Sequence, residues 1–164
     1  MPRYTLPALV MLALGLPLAA AAAPGTLSVT FVHPESYTDA SYHDSYGSDR
    51  QVLDEINRHL EKLAARQLPE GYTLSIEVLD IDLAGYVDWR SPSGLRIVRD
   101  VTWPKMTLHY VLRHGDQVVA ESQDRLSNMN FHWGVNLYHD TDRLRYEKAM
   151  LDDWFDRTIV KRVG

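Results

Sequence analysis

The sequence predicts an α+β fold in a single domain: a mainly antiparallel sheet with two helices on one face, in the order strand, helix, four strands, helix. Three observations carry this expectation. Apolar-alternating runs recur between turn signals from Tyr72 to Leu126, and a stretch with apolar residues at helical spacing lies on either side of them. No internal repeat, linker or shift in composition divides the chain.

The amino terminus reads as a leader rather than as part of the fold. Arg3 gives a weakly positive start, Leu6 to Leu18 is apolar, and Ala19 to Ala23 supplies small residues for cleavage. Cleavage is expected after Ala22, since a cut directly before Pro24 is disfavoured. Residues 1–22 are therefore assigned to a signal peptide and 23–164 to the domain, and no later stretch approaches the length of a membrane span. This predicts export to the bacterial periplasm. The chain has no cysteine, which removes disulfides, thiol nucleophiles, Cys-ligated zinc and lipidation at a cysteine. Arg3 is the leader's one charged side chain, so the chain's 17 basic and 22 acidic residues leave 16 against 22, a balance of −6. Such a balance speaks against nucleic-acid partners.

Leu27–Val32 alternates as a first strand, and Pro34–Ser48 is a polar, tyrosine-dotted loop. Ser48 and Gln51 fit a capping box ahead of a helix whose inward stripe is Val52, Leu53, Ile56, Leu60, Leu63 and Ala64. Asp54, Arg58 and Glu61 are spaced for surface pairs, and Pro69 with Gly71 ends the helix. A strand over Tyr72–Leu83 follows, then a loop, then a shorter strand over Leu95–Val101. Lys105–Arg113 and Gln117–Leu126 form a hairpin around Gly115–Asp116, with Met106, Leu108, Tyr110 and Leu112 facing Val118 and Ala120. Thr141 or Asp142 caps a last helix reaching about Val160, its inward side being Leu144, Leu151, Trp154, Phe155 and Ile159. Opposite charges four apart on that helix, Arg143–Glu147, Lys148–Asp152 and Asp153–Arg157, are expected on its surface.

One strand breaks its own pattern. Leu74, Ile76 and Val78 alternate with polar residues, but beyond Val78 the apolar positions are Leu79, Ile81 and Leu83, with Asp80 and Asp82 between them. A bulge at Val78–Leu79 would keep these apolar residues in the core and turn both carboxylates outward. Without it the pair would sit on the apolar face about 6.6 Å apart, needing a metal or an arginine to exist there. The bulge is the expected arrangement; a carboxylate site is the alternative.

The blocks PESYTDA at 34–40, DIDLAG at 80–85, RDVTWP at 99–104, LSNMNF at 126–131 and YEKAMLDDWF at 146–155 resemble an exported bacterial family catalogued as domain of unknown function 3016. The resemblance spans the mature chain. It implies export and one domain, and carries over no catalytic residue.

Other candidates come from composition in loops. Tyr86, Trp89, Trp103, Phe131, Trp133 and Tyr138 follow the strands, where aromatic residues serve interaction surfaces or close the ends of small cores. His132, His139, Asp140 and Asp142 share one loop and are the candidate metal ligands, although none of the seven histidines lies in a zinc-type spacing. The tyrosines and aspartates of Tyr37–Asp49 either bind a sugar or amine, or anchor the loop. No nucleophile elbow, phosphate loop or dinucleotide fingerprint is present, so no cofactor is implied. The sequence thus points to a non-catalytic module for an envelope protein or small ligand. The alternative is a metal-assisted hydrolase using Asp80 and Asp82 with a histidine.

Overall fold

The computed structural model describes residues 25–44, 46–90 and 94–164, so the expected leader and its cleavage point lie outside the described residues. Strand β1 (Thr26–Phe31) leads into a long loop and helix α1 (Arg50–Gln67), which returns the chain to β2 (Tyr72–Asp82). Two short strands, β3 (Tyr86–Val87) and β4 (Arg96–Ile97), then precede the hairpin β5 (Lys105–His114) and β6 (Gln117–Ser127). The second helix, α2 (Arg145–Phe155), continues through a π turn at Asp156–Val160 to Lys161–Val163. The main sheet runs β1-β2-β5-β6, parallel at the crossover pair β1–β2 and antiparallel elsewhere. This is the predicted α+β domain.

Both helices cover one face. Val52, Ile56, Leu60, Leu63 and Ala64 of α1 share a single buried cluster with Leu74, Ile76, Val78, Leu108, Tyr110 and Leu112 of the sheet and with Leu151, Phe155 and Ile159. The other face carries the alternate residues, among them Ser28, Thr30, Ser75 and Glu77. On it His109 lies between Glu77 and Glu121, with each ring nitrogen 3.2 Å from one carboxylate.

The bulge is present. Pairing with β5 is regular up to Val78↔Leu108 and resumes at Asp80↔Thr107, leaving Leu79 without an opposite residue. Parity flips as expected, so Val78, Ile81 and Leu83 are buried. Leu79 itself is only half-buried, a departure from its expected place in the core, because the extra residue bows out of the ladder. What sits beside β2 explains the site of the irregularity. Up to Val78 the neighbour is β1; beyond it, residues 37–40 take over. Asp39 N–H donates to Ile81 O and Leu83 N–H donates to Asp39 O, at 2.8 and 2.9 Å. The Tyr37 hydroxyl donates to Val78 O at 2.7 Å, and the Asp80 carboxylate accepts from Thr38 N–H and its hydroxyl at 2.7 and 2.8 Å. Asp82 pairs with Lys105 at 2.6 Å. Replacing Asp80 by Ala removes two acceptors from the loop and is expected to cost about 1–2 kcal/mol in urea unfolding, whereas Asp82→Ala, at a more exposed pair, costs about 0.5 kcal/mol.

Both carboxylates of the DIDLAG block are therefore engaged within the fold. Gly85 completes it with φ 88°, where a side chain would meet Ile97 O at 2.6 Å. Other expectations are corrected by local competition. The strand over 95–101 shrinks to Arg96–Ile97 and leaves the main sheet, since it pairs with β3 and then turns at Arg99–Thr102. No capping box forms: Asp49 is the N-cap, and its carboxylate accepts instead from Tyr42 N–H at 2.8 Å. A register shift after Leu112 sets Val118 opposite Arg113 and leaves it 42% exposed, while Ala120 faces Leu112 as expected. Arg58 donates to the Asp54 carbonyl rather than to its carboxylate.

Candidate functional site

The topology gathers every long loop at one end of the sheet. β1 and β2 finish there, β5 starts there and β6 finishes there, as the register Asp82↔Lys105↔Ser127 shows. Among the described residues, the connections at the opposite end are the tight ones around Glu70–Gly71 and Gly115–Asp116. Of the ten large apolar side chains exposed among the described residues, eight lie in these loops: Tyr46, Trp89, Leu95, Val101, Met129, Trp133, Val135 and Leu137. Only Val118 and Val119 lie elsewhere. Exposed apolar residues scattered singly need no explanation, but their gathering at one pole does.

The predicted aromatic residues divide in two. Trp89 and Trp133 are 86% and 81% exposed. Tyr86 and Trp103 are half-buried, with Arg99 and Lys105 placed over their rings. Phe131 and Tyr138 are internal anchors. Phe131 is buried edge-on against Tyr146, and the Tyr138 hydroxyl donates to Asp152 at 2.6 Å. In the Tyr37–Asp49 loop, Tyr37 and Tyr42 are likewise buried anchors, and only Tyr46 is free.

The four candidate metal ligands do not converge. His132 bonds Asp100 at 2.6 Å, His139 bonds Thr141 at 2.9 Å, Asp140 pairs with Arg145, and Asp142 with Lys148 at 2.6 Å. Each is claimed by its own neighbour, and among the described residues no three His, Asp or Glu side chains are arranged to hold a metal ion. Asp80 and Asp82 are likewise engaged by Thr38 and Lys105 rather than by a histidine.

Behind the loop pole lies a buried polar cluster. Arg96 of β4 donates through Nη2 to Asp39 at 2.7 Å and to Ser41 O at 2.6 Å, and through Nη1 to Ala84 O at 3.3 Å. Glu147 of α2 accepts from Ala84 N–H at 2.7 Å. Burial raises the Asp39 carboxyl, with Arg96 opposing the rise, and burial pushes Glu147 up to about 7. Glu147 was expected on the surface with Arg143. It lies instead on the inward stripe, three residues after Leu144 and four before Leu151, and that spacing was readable. Lys148 similarly turns to Asp142, leaving Asp152 free of it, while Asp153 and Arg157 do pair.

A cavity of about 440 Å³ opens beside this cluster, walled by Tyr42, Ala84, Leu95, Val98 and Tyr146 with Arg96, Arg143 and Arg145. Four buried side-chain N or O atoms lack a formed hydrogen bond among the described residues, and two of them belong to residues that line it: Arg96 Nε, and the Tyr42 hydroxyl, which faces Glu55.

A larger cleft of about 880 Å³ separates α1 from the 137–142 loop and α2. On its floor Asp152 accepts from both His59, at 2.8 Å, and Tyr138. These groups satisfy one another, which accounts for the burial of His59 on α1. Asp152→Ala leaves both donors unpaired and should cost about 2–3 kcal/mol in chemical unfolding.

Fold and site together define a small α+β domain whose rigid sheet presents its loops, and an arginine-lined cavity, at one pole. The chain matches the family model described as "Protein of unknown function (DUF3016)" over residues 25–157 and belongs to that family. No curated protein matches it. Among solved structures it is similar to the crystal structure of protein XCC0632 from Xanthomonas campestris, described under family model DUF330. The two share 13% identity over 90% of this chain and 89% of that one, with a TM-score of 0.42.

Proposed function

We propose that this protein is a non-catalytic binding module of the bacterial periplasm that meets an envelope protein or a small ligand through its loop pole. The observation that carries the reading is the concentration there of exposed apolar side chains, Trp89, Met129 and Trp133 among them. Large aromatic groups held on loops of a rigid sheet supply contact area at low entropic cost. A metal-assisted hydrolase has no comparable support, since both aspartates of β2 are tied into the fold.

Export rests on the sequence of residues 1–22, and the mature protein recovered from cells should begin at Ala23 on amino-terminal sequencing. A photo-crosslinking residue at position 89 or 133, in cells producing the full chain, should capture the same species repeatedly. One at Val119, at the far pole, should not. Repeated recovery of nothing would remove the envelope protein as the target, and equal capture at Val119 would remove the loop pole as the place of contact.

A further inference from the structure

We propose that the cavity between Tyr42, Leu95, Arg143 and Tyr146 binds a small organic carboxylate with a compact apolar body. The inference rests on the ligand-binding reading above and names the chemistry of one part of that pole. At about 440 Å³ the cavity falls within the size range of small-molecule sites. Ala84, Leu95, Val98 and two tyrosine rings supply apolar wall, and three guanidinium groups supply charge.

The charges do not cancel, and the way they are disposed selects the ligand. Arg96 is taken by Asp39, and Arg145 by Asp140 and the Tyr146 hydroxyl. Asp142, also at the wall, is taken by Lys148. Arg143 alone of the three arginines makes no ion pair among the described residues; its guanidinium lies over the Tyr42 ring, 4.9 Å from the centroid. Arg145 lies over Tyr146 at 4.6 Å in the same manner. A guanidinium stacked on an aromatic face keeps its in-plane donors free for a planar, bidentate acceptor. Among the side chains that line the cavity Arg143 is the one cation without an ion pair, and one negative charge matches it; Glu55 lies beyond Tyr42, within 3.9 Å of Lys148. A dianion such as a phosphate monoester would bring its second charge beside Asp140 and Asp142.

The purified mature chain, isotope-labelled for amide NMR, is titrated with benzoate, phenylacetate and octanoate. Acetate serves as the control without an apolar body, 2-phenylethanol as the neutral analogue of phenylacetate, and phenyl phosphate as the dianion. At least one of the three larger carboxylates should give saturable shifts at Ala84, Leu95–Val98 and Arg143–Tyr146, about tenfold tighter than acetate, 2-phenylethanol or phenyl phosphate. Arg143→Ala should weaken that binding about tenfold while leaving the melting temperature unchanged, because the side chain is exposed. The proposal is overturned if none of the three saturates below about 20 mM, if a control binds as well, if the shifts lie elsewhere, or if Arg143→Ala binds normally. Capture of a protein at position 133 with no carboxylate response defeats this inference and leaves the wider reading standing. Saturable carboxylate binding with no protein captured upholds this inference and leaves the small ligand, not an envelope protein, as the target.

Discussion

Glu147→Gln should abolish a loss of stability, about 3 kcal/mol in size, that the parent protein suffers as pH rises from about 5 to about 8. Burial among Leu144, Leu151 and Ala84 lifts this carboxyl from the ordinary 4.5 to about 7 in the folded state. Over that interval the native chain holds a proton that the unfolded chain has released, so unfolding is favoured increasingly as pH climbs. The stabilising contribution is full below about 4.5 and gone above about 7. Glutamine keeps the acceptor for Ala84 N–H and cannot ionise. Asp39, also raised by burial, gives both proteins a trend of the same sign, so the informative quantity is the difference between parent and variant. Urea unfolding across the pH series measures it. Parallel curves would mean that Glu147 is charged inside the fold or not inside at all.

Deleting Leu79 should abolish cooperative folding, whereas Leu79→Ala should cost about 1 kcal/mol or less. The side chain is half-buried and contributes modestly; the residue's presence sets everything after it. Without the extra residue, either Ile81 and Leu83 turn to the open face and Asp80 and Asp82 into the core, or the 37–40 loop loses its bonds to β2. Two unpaired buried carboxylates alone cost several kcal/mol each, which exceeds what a marginally stable domain can absorb. Near-ultraviolet circular dichroism and a thermal scan distinguish the two variants. A deletion that still melts cooperatively near the parent temperature would show that the bulge does not fix the register.

What could be read from the sequence follows the range of the interactions. The flip at Val78–Leu79 is a local pattern, and it located the bulge. The stripes of α1 and α2, and the β5–β6 hairpin, are also local and appear where periodicity placed them. The polar cluster could not be found that way. Asp39 and Arg96 are 57 positions apart and meet only because β3–β4 leaves the main sheet and folds back over Ala84. His59 and Asp152 are 93 apart. Glu147 is the exception: its place on the inward stripe was visible, but the charge four residues earlier offered a surface partner that the structure does not use. The loop aromatics were legible as a group, while the division between the exposed Trp89 and Trp133 and the buried Phe131 depends on contacts with α2.

The central claim is that the loops, and not the aspartates of β2, are where this protein engages its target. It is tested most directly by carrying the photo-crosslinker at position 89 in two backgrounds, Trp133→Ser and the double variant Asp80→Asn with Asp82→Asn, each first shown to be folded. The account predicts that the adduct falls at least about tenfold with Trp133→Ser and survives the aspartate changes. Survival in the first background and disappearance in the second would contradict it.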